Sequence, residues 1–336
     1  MTDLKVWALP AQEDWICDRF CREWQKSGMG VAKPDDAHVI WLLSDWMWNH
    51  VPPTFLLSSR PVVATVHHIV PEKFGHRELG EFLVRDKYIA AYHVPSEKTR
   101  EQLHAILSSH GIEKPIFSQP FWVNPDVWHA LPGPRTLHSS KFGIAPDRFI
   151  VGSAQRDTEG SDLTSPKLEK GPDILCDELI KLQKKIPSLT VLLAGWRRQY
   201  VTHRLTQAGI PFVYEERPSI ERINELYNAI DCYIVSSRYE GGPQAIFECA
   251  ATRTPIVSRD VGAASQILHP SSIGDNLAEL VMSSHDMNKL DHAEKCVSSL
   301  YMPQGFAPFK EFFEALERRT PFSITSPGIG KRTTDV

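Results

Sequence analysis

Two glutamates, Glu240 and Glu248, stand eight positions apart around Gly241-Gly242-Pro243-Gln244-Ala245. A β-rich run, Asp231–Ser236, precedes them, and a helix-forming run, Pro243–Thr252, follows. A strand, a tight turn and a helix in that order present the free N–H groups and the positive dipole end of the helix, which is a site for an anion such as phosphate. Pro243 suits the first helical position, N1, and Gly241-Gly242 lets a ligand approach the backbone without Cβ clashes. Glu248 then lies about 6 Å along the axis from Gln244, at ~1.5 Å per residue. A carboxylate accepts two hydrogen bonds at once, as a sugar diol requires. The spacing of the glutamates alone favours two solvated side chains. The whole succession of strand, Gly-Gly-Pro turn, helix and next strand, Pro255–Val257, favours the ligand site.

Other residues could serve the same chemistry. Arg156 follows the strand-like run Phe149–Ala154, and Lys170-Gly171-Pro172 opens the helix-like run Pro172–Lys185. Between them, Thr158–Pro166 reads as an insertion, so Lys167 rivals Lys170 as the second cation. Arg offers phosphate a planar fork and Lys a point charge; two surface cations beside a loop is the plainer explanation. His67 ends Pro61–Val66, where a structural histidine and a catalytic one are both reasonable. Arg197 and Arg198 follow Leu189–Gly195 and could approach a nucleotide or form a solvated basic turn. Gly28-Met-Gly30 is only a fragment of a dinucleotide fingerprint.

These residues need elements to position them. The 336 residues amount to about two domains. Short apolar runs at Leu4–Ala8, His38–Leu43, Pro61–Val66 and Tyr88–Val94, with helical stretches at Glu13–Lys26 and Ser96–Ser108, predict a first parallel-sheet domain, 1–135. Residues 119–147, rich in Pro, Gly and Asn, read as a linker. A second domain, 145–300, carries strands at Phe149–Ala154, Leu189–Gly195, Phe212–Tyr214, Asp231–Ser236 and Pro255–Val257, and a helix at Ser219–Ala229. From Asn276 the chain reads as helical. A last helix, about 303–318, carries the apolar stripe Phe306, Phe309, Phe312 and Phe313 and is expected to pack back on the first domain; membrane docking is the second reading of that stripe. The polar tail 323–336 reads as disordered. The fold class expected is α/β, two doubly wound Rossmann-like domains facing across a cleft, with ligands outside the carboxyl ends of the strands.

Composition removes other classes. The formal net charge is −4, which offers nucleic acid no general attraction. The six cysteines are too sparse for a disulfide scaffold, and no zinc-type spacing occurs, which suits a reducing cytoplasmic setting. No apolar run reaches the ~20 residues of a membrane span. No Asp-x-Asp triplet, P-loop or Gly-x-Ser-x-Gly elbow is present.

The stretch from Ser236 to Gly262 resembles the hallmark of glycosyltransferase family 4, retaining enzymes of the GT-B fold that use nucleotide-sugar donors. The resemblance is specific over about 148–285. It implies that Glu240 holds donor-sugar hydroxyls, that Glu248 holds the ribose diol, and that the backbone turn Gly242-Pro243-Gln244-Ala245 cradles the distal phosphate through its amides. It further assigns Arg156 and Lys170 to the diphosphate and His67 to the donor sugar or the transition state, and leaves the base to the loop 212–216. The family's Gly-rich loop after the first strand is replaced by Leu9–Trp15, without glycine, and its helix-ending Gly by Arg253, so the turn before Pro255 is expected to close differently.

The implied activity is transfer of a UDP- or GDP-linked sugar to a glycan, lipid-linked or other hydroxyl acceptor, with retention and without metal or other cofactor, in cell-surface glycan synthesis. A nucleotide-sugar 2-epimerase of the same fold and a non-catalytic donor-binding paralogue are the competing readings.

Overall fold

The computed structural model describes residues 3–13 and 16–319. The chain divides into two compact units, one formed by residues up to Trp122 together with those from Pro303 onward, the other by Val123–Met302. In the first unit the elements are β1 (Val6–Leu9), α1 (Ile16–Gln25), β2 (Val39–Leu42), α2 (Pro53–Leu56), β3 (Val62–Thr65), α3 (His76–Asp86), β4 (Ala91–Val94), α4 (Glu97–Ser109) and β5 (Ile116–Ser118). In the second they are α5 (Arg135–Ser140), β6 (Phe149–Ala154), α6 (Pro172–Lys185), β7 (Leu189–Gly195), α7 (Gln199–Ala208), β8 (Phe212–Glu216) and α8 (Ile220–Ala229). There follow β9 (Cys232–Val235), α9 (Gln244–Thr252), β10 (Ile256–Ser258), α10 (Ala264–Ile267), α11 (Leu277–Met282) and α12 (Met287–Ser298). The last helix, α13 (Ala307–Arg318), belongs to the first unit.

Both sheets are parallel, and both reverse their winding at one point. In the first unit the order is β1-β2-β3-β4-β5. Residues 29–31 also pair with β1, through Val6 N to Met29 O at 2.8 Å and Val31 N to Val6 O at 3.2 Å. The chain therefore leaves β1, returns along one side of it, and continues to β2 on the other. In the second unit the order β10-β9-β6-β7-β8 puts the reversal between β6 and β9. Ligands of such sheets bind outside the carboxyl ends of the strands at the reversal. Helices cover both faces of the second sheet, with Ile150 packed into one apolar cluster and its neighbour Val151 into the other. Burial on both faces makes such strands read as nearly continuous apolar runs.

Aromatic residues dominate the first core. Trp24, Trp41, Phe121, Trp122, Phe309, Phe312 and Phe313 are buried, and Trp24 lies within 6.4 Å, ring centre to ring centre, of Trp41, Trp122, Phe309 and Phe313. The Trp122 indole N–H donates to Glu23 Oε2 at 2.8 Å, the kind of partner a buried indole needs. The stripe on α13 is thus core packing, with Phe309, Phe312 and Phe313 each 0% exposed. No helix among the described residues is long and apolar enough to cross a membrane.

The domain boundary differs from the one expected. Residues 123–135 belong to the second unit, which runs 123–302 and not 145–300. Val123 N donates to Leu300 O at 2.8 Å, and Met302 N to Val123 O at 2.9 Å. Trp128, Phe142 and Ile144 are buried in the second core. Prolines and glycines between these anchors give the stretch the composition of a linker. The tail at 323–336 and Trp15 lie outside the described residues.

Candidate functional site

Two turns meet at the carboxyl ends of β6 and β9. The first carries Lys170 and Gly171 just before α6, and the second carries Ser236 to Glu240 after β9. Arg238 N and Tyr239 N donate to Glu169 O at 2.8 and 3.1 Å. The Arg238 guanidinium forks onto the Asp173 carboxylate at 2.8 and 2.6 Å. Gly171 sits at φ +61°, and a Cβ there would stand 2.0 Å from Ser236 O. Only glycine permits that backbone approach. Gly262 does the same for the other turn: a Cβ would stand 2.0 Å from Gly241 O and 2.7 Å from Glu240 O.

This lacing brings Lys170 and Glu240 together. Lys170 Nζ lies 2.7 Å from Glu240 Oε1, with the two side chains 20% and 14% exposed. Ser237 Oγ donates to the same oxygen at 3.0 Å. Gln155, directly after β6, donates through Nε2 to Lys170 O at 2.8 Å, and its Oε1 lies 3.4 Å from Ser237 Oγ. Lys167, the rival cation, instead faces Glu169 at 3.6 Å.

Helix α9 begins beside this cluster. Pro243 is its N-cap (φ −59°, ψ 111°) and not its first helical residue, because Gln244 is the first to take helical geometry. Pro243 has no N–H to offer, so the helix presents its positive end through the amides of Gln244 and Ala245. Gln244 Nε2 folds back to Gly242 O at 3.1 Å. Glu248 is 5% exposed and accepts from Tyr227 Oη at 2.7 Å through Oε2. Burial, and then the Glu248 charge, push the Tyr227 phenol well above its ordinary pKa, so it remains a donor. At the far end, Arg253 itself takes the left-handed conformation, φ 55°, and bonds to Asp291 and Glu294. The turn therefore closes as a glycine would close it, contrary to expectation, at a backbone strain of about 1–2 kcal/mol.

Arg156 and Arg197 stand in a second cluster. Arg156 Nε donates to Thr158 O at 2.8 Å, and its guanidinium lies 5.4 Å from the Trp196 ring. Burial and the nearby Arg197 charge lower the Arg156 pKa. Arg197 is 8% exposed and donates to Gly160 O in the inserted loop. That loop closes on itself through Glu159 N to Ser165 O at 3.1 Å. Arg197 thus braces the inserted loop; the donor contact expected of it stays a proposal. Arg198 is fully buried against Asp157, Nε to Oδ2 3.2 Å, so it is no solvated basic turn. Trp196, 44% exposed, also lies 4.6 Å from Arg217. Gln155, Ser237, Tyr227, Trp196 and Arg217 do not stand out in the sequence. A clue exists for the first two, since a polar residue at the buried end of a parallel strand needs a partner.

His67 lies in the first unit. Its Nε2 is 2.7 Å from Leu43 O and 3.8 Å from Cys17 Sγ. A carbonyl only accepts, so Nε2 carries the proton. Burial pushes the Cys17 thiol up to about 12, which keeps it neutral beside the imidazole. In the glycine-free loop after β1, Gln12 N and Glu13 N donate to the Asp18 carboxylate at 3.0 and 2.9 Å.

Among known proteins, the family match falls within the second unit. Residues 162–293 match the family model described as Glycosyl transferases group 1. The chain is 27% identical over 158 residues to an alpha-galactosylglucosyldiacylglycerol synthase of Streptococcus pneumoniae, covering 44% of this chain and 39% of that protein. It is 24% identical over 192 residues to the lipopolysaccharide core biosynthesis mannosyltransferase LpsB of Rhizobium meliloti, covering 54% of this chain and 47% of that protein. The matches thus span less than half the length of either relative. Anabaena HepE, solved with UDP and glucose, superposes with a TM-score of 0.64 at 16% identity, over 88% of this chain and 80% of that one. A UDP-forming trehalose-phosphate synthase of Burkholderia xenovorans gives a TM-score of 0.63 at 12% identity, over 90% of this chain and 77% of that one. The fold is that of GT-B glycosyltransferases: two Rossmann-like α/β domains built on parallel sheets.

Proposed function

We propose that the chain is a retaining glycosyltransferase of family 4 type that moves a sugar from a nucleoside-diphosphate donor, UDP-linked in the first instance and GDP-linked in the second, to a hydroxyl acceptor. The observation that carries this reading is the Lys170–Glu240 pair beside the first turn of α9, at the winding reversal of a parallel sheet. A cation suited to phosphate, a carboxylate suited to a diol and a helix N-terminus occur together there. In this reading Lys170 and the amides of Gln244 and Ala245 take the diphosphate and stabilise it as it leaves, without a metal. Glu240 orients the sugar, and Glu248, held by Tyr227, takes the ribose diol. The departing phosphate oxygen receives the acceptor proton on the face it vacates, which preserves anomeric configuration. Arg156, expected at the diphosphate, lies with Trp196 after the neighbouring strands β6 and β7, and a guanidinium beside that ring suits the nucleoside end instead.

The names of the curated relatives, a diacylglycerol glycoside synthase and a lipopolysaccharide mannosyltransferase, favour a lipid-linked or glycan acceptor and a role in cell-surface glycan synthesis. Glu240→Ala and Lys170→Ala are each expected to lower turnover by ~10²-fold or more, the scale of losing one electrostatic stabiliser. The assay is release of nucleoside diphosphate with UDP-glucose or GDP-mannose and a panel of glycan and glycolipid acceptors. Near-normal transfer by both variants would sink the proposal.

The reading as a non-catalytic donor-binding paralogue draws on one observation, the Asp18 carboxylate on the loop after β1. It expects donor binding with no turnover across that panel. Incubation with donor alone tests for the 2-epimerase, which would yield an epimeric sugar nucleotide.

A further inference from the structure

The group expected to hold the donor's diphosphate and the group expected to hold its sugar are bonded to each other. Lys170 Nζ and Glu240 Oε1 are 2.7 Å apart, and Ser237 adds a second donor to the same oxygen. Neither partner is a mobile surface side chain. The Lys170 backbone is fixed by the Gly171 turn against Ser236 and by Gln155 on its carbonyl. The Glu240 backbone is held by the close approach of Gly262. Resting on the donor assignment made above, we propose that this ion pair makes the site select the complete nucleotide-sugar over the bare nucleoside diphosphate.

Selection arises through exchange of partners. A bare diphosphate that draws Lys170 away takes the cation from a carboxylate that is largely shielded from water, and brings further negative charge beside it. That carboxylate loses its cation and gains no donor in exchange. A nucleotide-sugar takes the same cation but hands Glu240 the hydroxyl donors of its sugar in the same event. Once the sugar has moved to the acceptor, Glu240 loses those donors and reclaims Lys170. The grip on the nucleoside diphosphate then weakens, and the pair promotes product release. The two halves of the donor are thus coupled through one contact of the protein.

The test is calorimetric titration of UDP and UDP-glucose, and of GDP and GDP-mannose, at fixed ionic strength. Wild-type protein should bind one nucleotide-sugar more tightly than its nucleoside diphosphate. Glu240→Gln should tighten the nucleoside diphosphate about tenfold, equivalent to about 1.4 kcal/mol, without tightening the nucleotide-sugar, so the preference collapses. In the Lys170→Met background the gain from Glu240→Gln should fall below about threefold. Glu240→Asp keeps the charge but shortens the reach, and should give a gain of a few-fold, which guards against a folding defect in the first variant. Unchanged nucleoside diphosphate affinity in Glu240→Gln and Glu240→Asp would overturn the proposal. So would an equal gain with and without Lys170, since simple repulsion would then account for it. If wild-type protein binds none of the four nucleotides, the donor assignment itself falls and this inference with it. If it binds and transfers but the variants do not tighten, only this inference fails.

Discussion

Gly171→Ala perturbs the junction on which the candidate site is built, and its cost can be worked from geometry. The residue sits at φ +61°, where an L side chain costs about 1–2 kcal/mol. Its new Cβ would also stand 2.0 Å from Ser236 O, 2.8 Å from Ser236 C and 3.4 Å from Ser237 Cα. The first two neighbours are backbone and cannot rotate away, so an overpacking cost of about 1–3 kcal/mol is added. Loss of conformational freedom in the unfolded chain returns about 0.4–1 kcal/mol. The net is about 1–5 kcal/mol. Gly209 supplies a matched control, with φ +67° and nothing within 4 Å of the position an added Cβ would take. Gly209→Ala therefore carries the backbone cost alone, about 0–1.6 kcal/mol after the same return. Urea unfolding of the two variants separates the terms. Titration with UDP-glucose reads the site: pushing the Lys170 turn off Ser236 should weaken binding about tenfold in Gly171→Ala and leave Gly209→Ala unchanged. Equal destabilisation by the two substitutions, with donor binding intact in both, would refute the claim that the Lys170 turn is seated directly on the end of β9.

Two further outcomes follow from buried polar contacts. His93 is fully buried, donates from Nε2 to Gln119 O at 2.8 Å, and lies 3.0 Å from Thr65 Oγ1 through Nδ1. Burial pushes its pKa down to about 3 from 6.5. The unfolded chain therefore binds the extra proton between those values, so this contribution is complete above about pH 6.5 and is lost as pH falls towards 3, by up to roughly 4–5 kcal/mol; His93→Gln should flatten urea midpoints across that window, and an unchanged slope counts against a neutral buried imidazole. Tyr227→Phe leaves the buried Glu248 oxygen without its phenolic donor and should cost about 1–3 kcal/mol in unfolding free energy, whereas a neutral effect would mean that this carboxylate is solvated.

The sequence is most readable where apolar runs are continuous. Phe149–Ala154, Leu189–Gly195 and Pro172–Lys185 match β6, β7 and α6 to the residue. Fully buried parallel strands and a helix bounded by Gly171-Pro172 leave little ambiguity. Helix α7 is not legible in the sequence, because only Val201 and Leu205 of its ten residues are buried. Two apolar anchors one turn apart make too weak a stripe to stand out. Helix α3 escapes for the same reason, with Phe82 its one buried apolar residue, and β5 is three residues long. Residues 123–144 mislead through their average composition, which hides Val123, Trp128, Phe142 and Ile144. At the site, Glu240 and Lys170 are legible because each adjoins a Gly and Pro turn whose geometry is readable locally. Gln155 and Ser237 are not, because they are brought together across 82 positions, and only the strand order makes them neighbours.

The same strand order helps explain why several groups expected to bind ligand have protein partners. Glu240 meets Lys170, Glu248 meets Tyr227, and in the first unit the amides of Gln12 and Glu13 meet Asp18. A strand end crowded by neighbouring turns excludes much of the water that would otherwise solvate a charge, and a shielded polar group without a partner is expensive. A site held ready in this way must satisfy itself when empty. Ligand binding then exchanges one set of hydrogen bonds for another, and affinity is the difference between the two sets. A ligand that replaces only part of the resident set pays for the remainder. Specificity at such a site therefore resides as much in the contacts the ligand must break as in those it makes, and substitutions that remove a resident partner should loosen discrimination before they weaken binding.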